Sequence, residues 1–399
     1  MKFSRRDLVK AAAAAAFFPL SPKAAFAGNW AALEAEARGQ TVYFNAWAGS
    51  EAINAYIDWA AELLKARHDV TLLHVKIADA AEVVRRVRDE VKAGKAEGSA
   101  DLVWINGENF RAMKAGKLLF GPFASALPNF KYVDTAGKPT TLIDFAEPTD
   151  GLESPWGMAQ LTFFGDGAKI SAPPRSMDEL VAFAKTNPGR VSYPAPPDFH
   201  GTTFVKQALH ESIADRSLLA LPAERIDFGR AIAPLINFLD GLHPHLWRQG
   251  KQFPQSQAQL KQMQADGELL MALTFNPNEP ANLIASGALP DTTVAWQYRA
   301  GTIGNTHFVA IPINSKARAA AQVVANFLLS PEAQGRKADL KTWGDPTVLA
   351  SAKLSAEEAK FFGTSVVPGR VAEAAPALPE PHGSWVPLLE KAWLESYGT

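Results

Sequence analysis

Three short apolar runs, 41–45, 70–77 and 101–105, alternate with two segments whose apolar residues recur at helical spacing. That rhythm confines the start of the chain to a parallel sheet covered by helices. Thr41-Val42-Tyr43-Phe44-Asn45 reads as a buried strand, and Ser50 followed by Glu51 reads as the start of a helix. That helix, 51–67, places Ile53, Tyr56, Ile57, Ala60, Leu63 and Leu64 on one face. After the strand 70–77, Asp79 caps a second helix that turns Val83, Val84, Val87 and Val91 inward. The third strand, 101–105, leads through Asn106-Gly107-Glu108-Asn109 into another helix.

The pattern returns further on. A helix is expected over 176–185, a short strand at 191–193, a helix over 202–214 and a strand at 268–274, followed by the loop Phe275 to Glu279 with Pro280 in the first helical turn beyond it. Two long apolar strands, 154–164 and 306–313, are placed to join the two sets of elements. The expected fold is α/β and two-lobed, each lobe a mostly parallel sheet flanked by helices, joined by hinge strands. The expected division gives 28–158 plus 293–330 to lobe 1 and 159–292 plus 331–399 to lobe 2.

Residues 1–27 belong to targeting rather than to this fold. A basic start containing Arg5-Arg6, an apolar run from Ala11 to Leu20 and Ala25-Phe26-Ala27 stand in the order of a cleavable export signal. The setting Ser4-Arg5-Arg6-Asp7-Leu8-Val9-Lys10 resembles a twin-arginine signal. Cleavage is expected after Ala27, releasing the protein into the periplasm. Removal takes five basic residues and one acid from totals of 40 and 41, so 35 basic and 40 acidic residues remain. Such a mildly acidic chain carries no nucleic-acid footprint. The chain has no cysteine, which excludes disulfides, thiolate metal sites and cysteine nucleophiles. The phosphate-loop, dinucleotide and nucleophile-elbow patterns are absent, so no cofactor and no catalytic residue is expected.

Several segments together carry a resemblance: the export signal, the strand ending Tyr43-Phe44-Asn45-Ala46-Trp47, the strand 101–105 with its polar loop, Ser154-Pro155-Trp156-Gly157, Gly267 to Ala272, and Asn326-Phe327-Leu328-Leu329-Ser330-Pro331-Glu332-Ala333-Gln334. The chain resembles the type II periplasmic solute-binding proteins of ABC importers, and within them the YnjB-like family, which neighbours receptors for thiamine, polyamines and ferric iron. The resemblance implies a small-molecule solute, a permease pair and a cytoplasmic ATPase as partners, and a monomeric receptor. Ferric-binding relatives use adjacent tyrosines; none of the six tyrosines here is adjacent to another.

Ligands of open α/β sheets bind beyond the carboxyl ends of strands, and the loops there supply the candidate binding residues. Trp47 and Trp156 offer rings to a flat or cationic solute, or pack the lobes, as Trp59 and Trp104 do. Asn106, Glu108 and Asn109 after one strand, and Asn276, Asn278 and Glu279 after another, offer donors and acceptors to a polar solute, or serve turns. Ser50 binds an anion at a helix start or caps it. Asp198 and His200 contact ligand or close their loop. His243-Pro244-His245 reads as a surface turn rather than a metal site. The acids among these residues, with Trp47 and Trp156, favour a cationic solute such as a thiamine-like or polyamine-like compound. The alternative is an exported periplasmic enzyme holding a metal or cofactor, and a weaker one is a sensor input that docks to another protein.

Overall fold

The computed structural model describes residues 22–363, 368–373 and 375–398, with side chains from Trp30 onward. The arginine pair and most of the expected signal lie outside the described residues, and the first helix, Pro22–Ala37, runs across the expected cleavage point at Ala27. The strands are β1 (Thr41–Trp47), β2 (Thr71–Ile77), β3 (Leu102–Ile105), a two-residue ribbon of β4 (Ile143–Asp144) and β5 (Glu147–Pro148), β6 (Glu153–Gln160), β7 (Thr162–Asp166), β8 (Met271–Thr274), β9 (Thr293–Trp296), β10 (Thr302–Ala310) and β11 (Ala377–Leu378).

The first sheet has the expected parallel start. β1 pairs in parallel with β2 on one side, Thr41 opposite Thr71 through Trp47 opposite Ile77, and with β3 on the other. β10 then runs antiparallel beside β3, and β6 antiparallel beside β10. The helices form where the spacing places them. Glu51–His68 buries Ile53, Tyr56, Ile57, Ala60 and Leu64, and Asp79 accepts a bond from Ala81 N to start Ala80–Lys92. In the late motif, Ser330 accepts from Ala333 N and Pro331 opens the helix Pro331–Ala338, where a missing N–H costs nothing.

The second sheet departs from the expected parallel arrangement. β7 is central, and β8 and β9 both run antiparallel to it. The strand expected at 191–193 forms no ladder, although Leu270 N donates to Arg190 O beside it. Pro194, Pro196 and Pro197 follow directly and have no N–H to give a sheet neighbour. The apolar run 154–164 also divides. β6 belongs to the first sheet and β7 to the second, with Leu161 N bonded to Ile303 O at the break.

Two cores result. One gathers Val42, Phe44, Tyr56, Trp156, Val309, Val324 and Leu328 around the first sheet. The other gathers Phe163, Phe164, Leu209, Leu239, Leu273, Trp296 and Trp393 around the second. The stretch 331–399, assigned whole to lobe 2 from the sequence, is divided by packing: Ala333, Trp343, Val348 and Leu349 lie in the first core, Trp385, Leu389 and Trp393 in the second. Trp296, Tyr298 and Ile303 pack with the second core, whereas β10 reaches the first only with its later residues, such as Val309.

Three segments cross between the lobes. β6 and β10 are paired from Gly304 opposite Gln160 to Ala310 opposite Glu153, with a bulge at His307/Phe308. β11 adds a short parallel pairing on the other edge of β10. At the bulge His307 Nε2 lies 2.8 Å from Asp345 Oδ1, and the other oxygen of that carboxylate pairs with the wholly buried Lys337. Gly157 belongs here because a Cβ would sit 2.1 Å from Asp345 and 2.4 Å from the His307 ring. Breaking a buried pair by removing one partner leaves an uncompensated charge. Asp345→Ala is therefore expected to lower stability by about 3–5 kcal/mol, read as a fall in the urea unfolding midpoint.

Candidate ligand-binding cleft

The parallel pairing of β1 with β2 and β3 brings three strand ends to one edge of the first lobe. Trp47 ends β1, Asp79 lies just beyond β2, and Asn106 to Asn109 follow β3. Trp47 is exposed and its ring lies over Gly49, where a Cβ would meet it at 2.2 Å. Gly107 has φ +61° and its N donates to Asp144 Oδ2 at 2.7 Å. A Cβ at Gly107 would meet the Phe145 ring at 2.8 Å. The β4–β5 ribbon is thus fastened against the start of the helix Gly107–Ala115, with Phe145 at its tip.

The second lobe answers with the helix Phe199–Ser212, whose residues from Gly201 to His210 are all buried. Asp198 is its cap, accepting from His200 N at 2.9 Å and Gly201 N at 3.1 Å. Two turns in, Lys206 is 1% exposed and its Nζ is 2.6 Å from Glu380 Oε2. The ammonium also lies over Phe145 from the first lobe, at 4.6 Å, and over Phe199 from the second, at 5.5 Å. The other oxygen of Glu380 accepts from Asn305 Nδ2 of β10 at 2.9 Å. Thr202 Oγ1 donates to Glu390 at 2.8 Å.

The segment 380–384 straps this region together. Gly383 N donates to Phe145 O, and a Cβ at Gly383 would lie 3.2 Å from Glu108 N. His382 N donates to Leu219 O, and Ser384 Oγ accepts from Ala223 N in the second lobe. Each lobe therefore sees the other through one stretch of late sequence.

Carboxyl groups dominate the cleft. Burial pushes Glu108 up to about 7; Lys206 opposes the rise, and Glu390 and Asp79 add to it. Burial likewise raises Glu390 and Glu380, with Lys206 opposing in both, and pushes Asp144 well above the ordinary carboxylate range. Lys206, the cation these acids share, is already paired with Glu380.

The residues expected to bind ligand are not all brought together. Trp47, Asn106, Glu108 and Asn109 share the first lobe's edge, with Asn109 Nδ2 donating to Glu108 at 3.1 Å. Ser50 stands at the helix start after Trp47 and makes no side-chain cap bond. Trp156 is fully buried, with Trp104 at 4.9 Å, Trp343 at 5.4 Å and Phe44 at 6.0 Å, so lobe packing is the role its surroundings fit. Asn276 and Asn278 donate to Trp343 O and Gly344 O, tying their loop to the first lobe. Glu279 pairs with Lys261 at 2.5 Å, and His200 lies near enough for Asp198 and Glu279 to offset the lowering that burial imposes on it. His243 corrects the surface-turn expectation. It is buried, with Nε2 2.7 Å from Tyr193 Oη, because the proline turn faces the aromatic cluster of Tyr193, Phe253 and Tyr397.

Sequence reasoning missed Lys206, Glu380, Glu390, Phe145 and Phe199. Asp79, read as a cap, had the same strand-end signal as Glu108. Lys206, a charge inside Thr202-Thr203-Phe204-Val205-Lys206-Gln207, is the one signal that a buried helix carries something other than packing.

Two α/β lobes joined by crossing strands, with a polar cleft at their facing edges, form the architecture of a type II solute-binding protein. The chain belongs to the bacterial extracellular solute-binding protein family, whose model matches residues 58–361. It is 47% identical over 377 residues to Protein YnjB of Escherichia coli (strain K12), spanning 94% of this chain and 96% of that one. The resemblance read from the sequence is borne out, and the family sets the enzyme alternative aside. The fold is shared with the TpPotD lipoprotein of Treponema pallidum, at TM-score 0.65 and 14% identity over 90% of this chain and 99% of that one. It is shared too with AfuA of Actinobacillus pleuropneumoniae, solved with fructose-6-phosphate bound, at TM-score 0.59 and 14% identity over 90% and 98%.

A carboxyl whose folded value is raised binds more protons in the native state than in the unfolded one, so its contribution is full below its unfolded value and is lost as pH rises through the folded value. For Glu108 that window runs from the ordinary carboxylate range up to about 7. The ligand-free protein is expected to lose stability between pH 5 and pH 8 in urea unfolding, and Glu108→Gln is expected to flatten that slope.

Proposed function

We propose that this chain is a periplasmic receptor that traps a small cationic solute, of thiamine-like or polyamine-like chemistry, between its lobes and delivers it to an inner-membrane permease with its cytoplasmic ATPase. It acts as a monomer, exported by the Arg5-Arg6 signal and cut after Ala27. The observation that carries the charge assignment is the balance at the cleft: Asp79, Glu108 and Glu390 face a single lysine that Glu380 already neutralises. A solute cation entering there gives the raised carboxyl groups a partner and lets them ionise, forming charge-assisted bonds stronger than neutral ones. Trp47 at the rim and Phe199 opposite supply ring faces that favour the same sign of charge. Trp47, Ser50, Asn106, Glu108 and Asn109 form the first-lobe contact set, and Phe199, Thr202 and Glu390 the second. The similar fold serves an anionic sugar phosphate in AfuA, so the lobes alone do not choose the charge; the side chains do.

Calorimetric titration with putrescine, spermidine, thiamine and fructose 6-phosphate tests this. One of the cations is expected to bind, and Glu108→Gln to weaken it tenfold or more, the scale of a lost bond to a charged group at about 1.5–3 kcal/mol. Binding of the sugar phosphate alone, or a cation indifferent to Glu108→Gln, would overturn the assignment.

A further inference from the structure

The β4–β5 ribbon turns on Phe145-Ala146, between the paired residues Asp144 and Glu147. Both turn residues are at positive φ, +42° and +64°. A two-residue turn of that kind ordinarily takes Asn-Gly, because a bulky side chain is strained there. Among the described residues Phe145 is the one aromatic residue at positive φ. Strain of this sort persists where the surroundings over-determine it, and it gathers at clamps and switches.

What holds Phe145 is divided between the lobes. On the first lobe, Gly107 N donates to Asp144 Oδ2, and the absence of a Cβ at Gly107 leaves room for the Phe145 ring. On the second lobe, the Lys206 ammonium lies 4.6 Å from the centre of that ring. Phe145 O accepts from Gly383 N in the strap, and the strap is itself fastened to the second lobe at Leu219 O, Ala223 N and the buried Trp385. The second lobe thus grips Phe145 by its side chain and by its backbone. We propose that Phe145 is a latch: in the protein without solute its ring, seated over Lys206, holds the two lobes closed, and solute enters the cleft only after this contact has parted.

The seat is built to stay in place. Lys206 is paired with Glu380, whose other carboxyl oxygen accepts from Asn305 of β10, so the ammonium keeps its partner whether the lobes are together or apart. Opening instead returns a ring that is 4% exposed to water and breaks the bond to Gly383. Apolar burial and the attraction of a ring face for a cation both oppose that step. A further tie between the lobes, Arg111 with Glu224 at 3.4 Å, is exposed and adds little, so the buried ring is the stronger of the two. Solute then meets only the fraction of molecules that have opened, and its apparent affinity is reduced by that fraction. The latch rests on the two-lobed receptor reading and not on the sign of the solute's charge.

Small-angle X-ray scattering of the full chain, stripped of bound solute by unfolding in urea and refolding, tests it. Wild type is expected to match the compact closed form described above. Phe145→Asn, a residue that takes positive φ without a ring, is expected to shift the radius of gyration upward while keeping the circular dichroism of wild type. Since the chain has no cysteine, spin labels at Arg111→Cys and Glu224→Cys read the same separation directly: strong dipolar broadening alone, and its loss when Phe145→Asn is added. A solute-free wild type that is already open overturns the latch, and so does a folded Phe145→Asn as compact as wild type. Should Phe145→Asn fail to fold, Lys206→Met combined with Glu380→Gln decides, because it removes the ammonium without leaving an unpaired charge: opening is expected, and an unchanged profile overturns the proposal. These measurements contain no solute, so failure of the cation assignment leaves their outcome as it is.

Discussion

The ladder between β6 and β10 is the constraint on which the rest of this molecule depends. It is one antiparallel pairing shared by two cores, since Val309 packs in the first and Ile303, on the same strand, in the second. Backbone bonds run from one lobe toward the other along this ladder, and it is irregular at one place. That place is the bulge at His307/Phe308, and it is where the buried carboxylate of Asp345 is set between His307 and Lys337. A bulge bends and twists its strand; here the bend is tied by charge to the late segment that carries Lys337 and Asp345.

The cleft inherits its chemistry from that arrangement. The parallel strands of the first lobe deliver their ends to one edge, the usual consequence of a parallel sheet, and the helix of the second lobe presents Lys206 toward it. Removing so many carboxyl groups from water is unfavourable unless something compensates. Lys206 compensates Glu380 directly, with Asn305 completing the pair. Glu108 and Glu390 are left with partial compensation from Lys206.

Much of the fold was legible in the sequence, for local reasons. The helix stripe at Ile53, Tyr56, Ile57 and Leu64, the cap at Asp79 and the Ser330-Pro331 start all act over a few residues, and each forms as read. What was illegible depends on separation or on an interrupted rule. The run 154–164 has the composition of one strand and becomes two, because only tertiary pairing with Ile303 sets the break at Leu161. The triplet Val191-Ser192-Tyr193 is strand-like until the prolines after it deny it a ladder. Trp156 and Trp47 look alike in sequence, each an indole in an apolar strand with a glycine one or two residues on, yet one is fully buried and the other exposed. Glu380, between two prolines, carries no local signal of the lysine it meets.

The strap at 380–384 has a consequence for the order in which the protein comes into being. Glu380 is 174 residues from Lys206, and domains in general fold as units while the chain is still being made. Both sheets and most of both cores are complete in the nascent chain before Glu380 leaves the ribosome. Until then Lys206 sits in an apolar helix with no carboxylate to meet, and Glu108 has no Gly383 packed against it. The cleft therefore acquires Glu380 and Glu390 only after the strands of both sheets have been made.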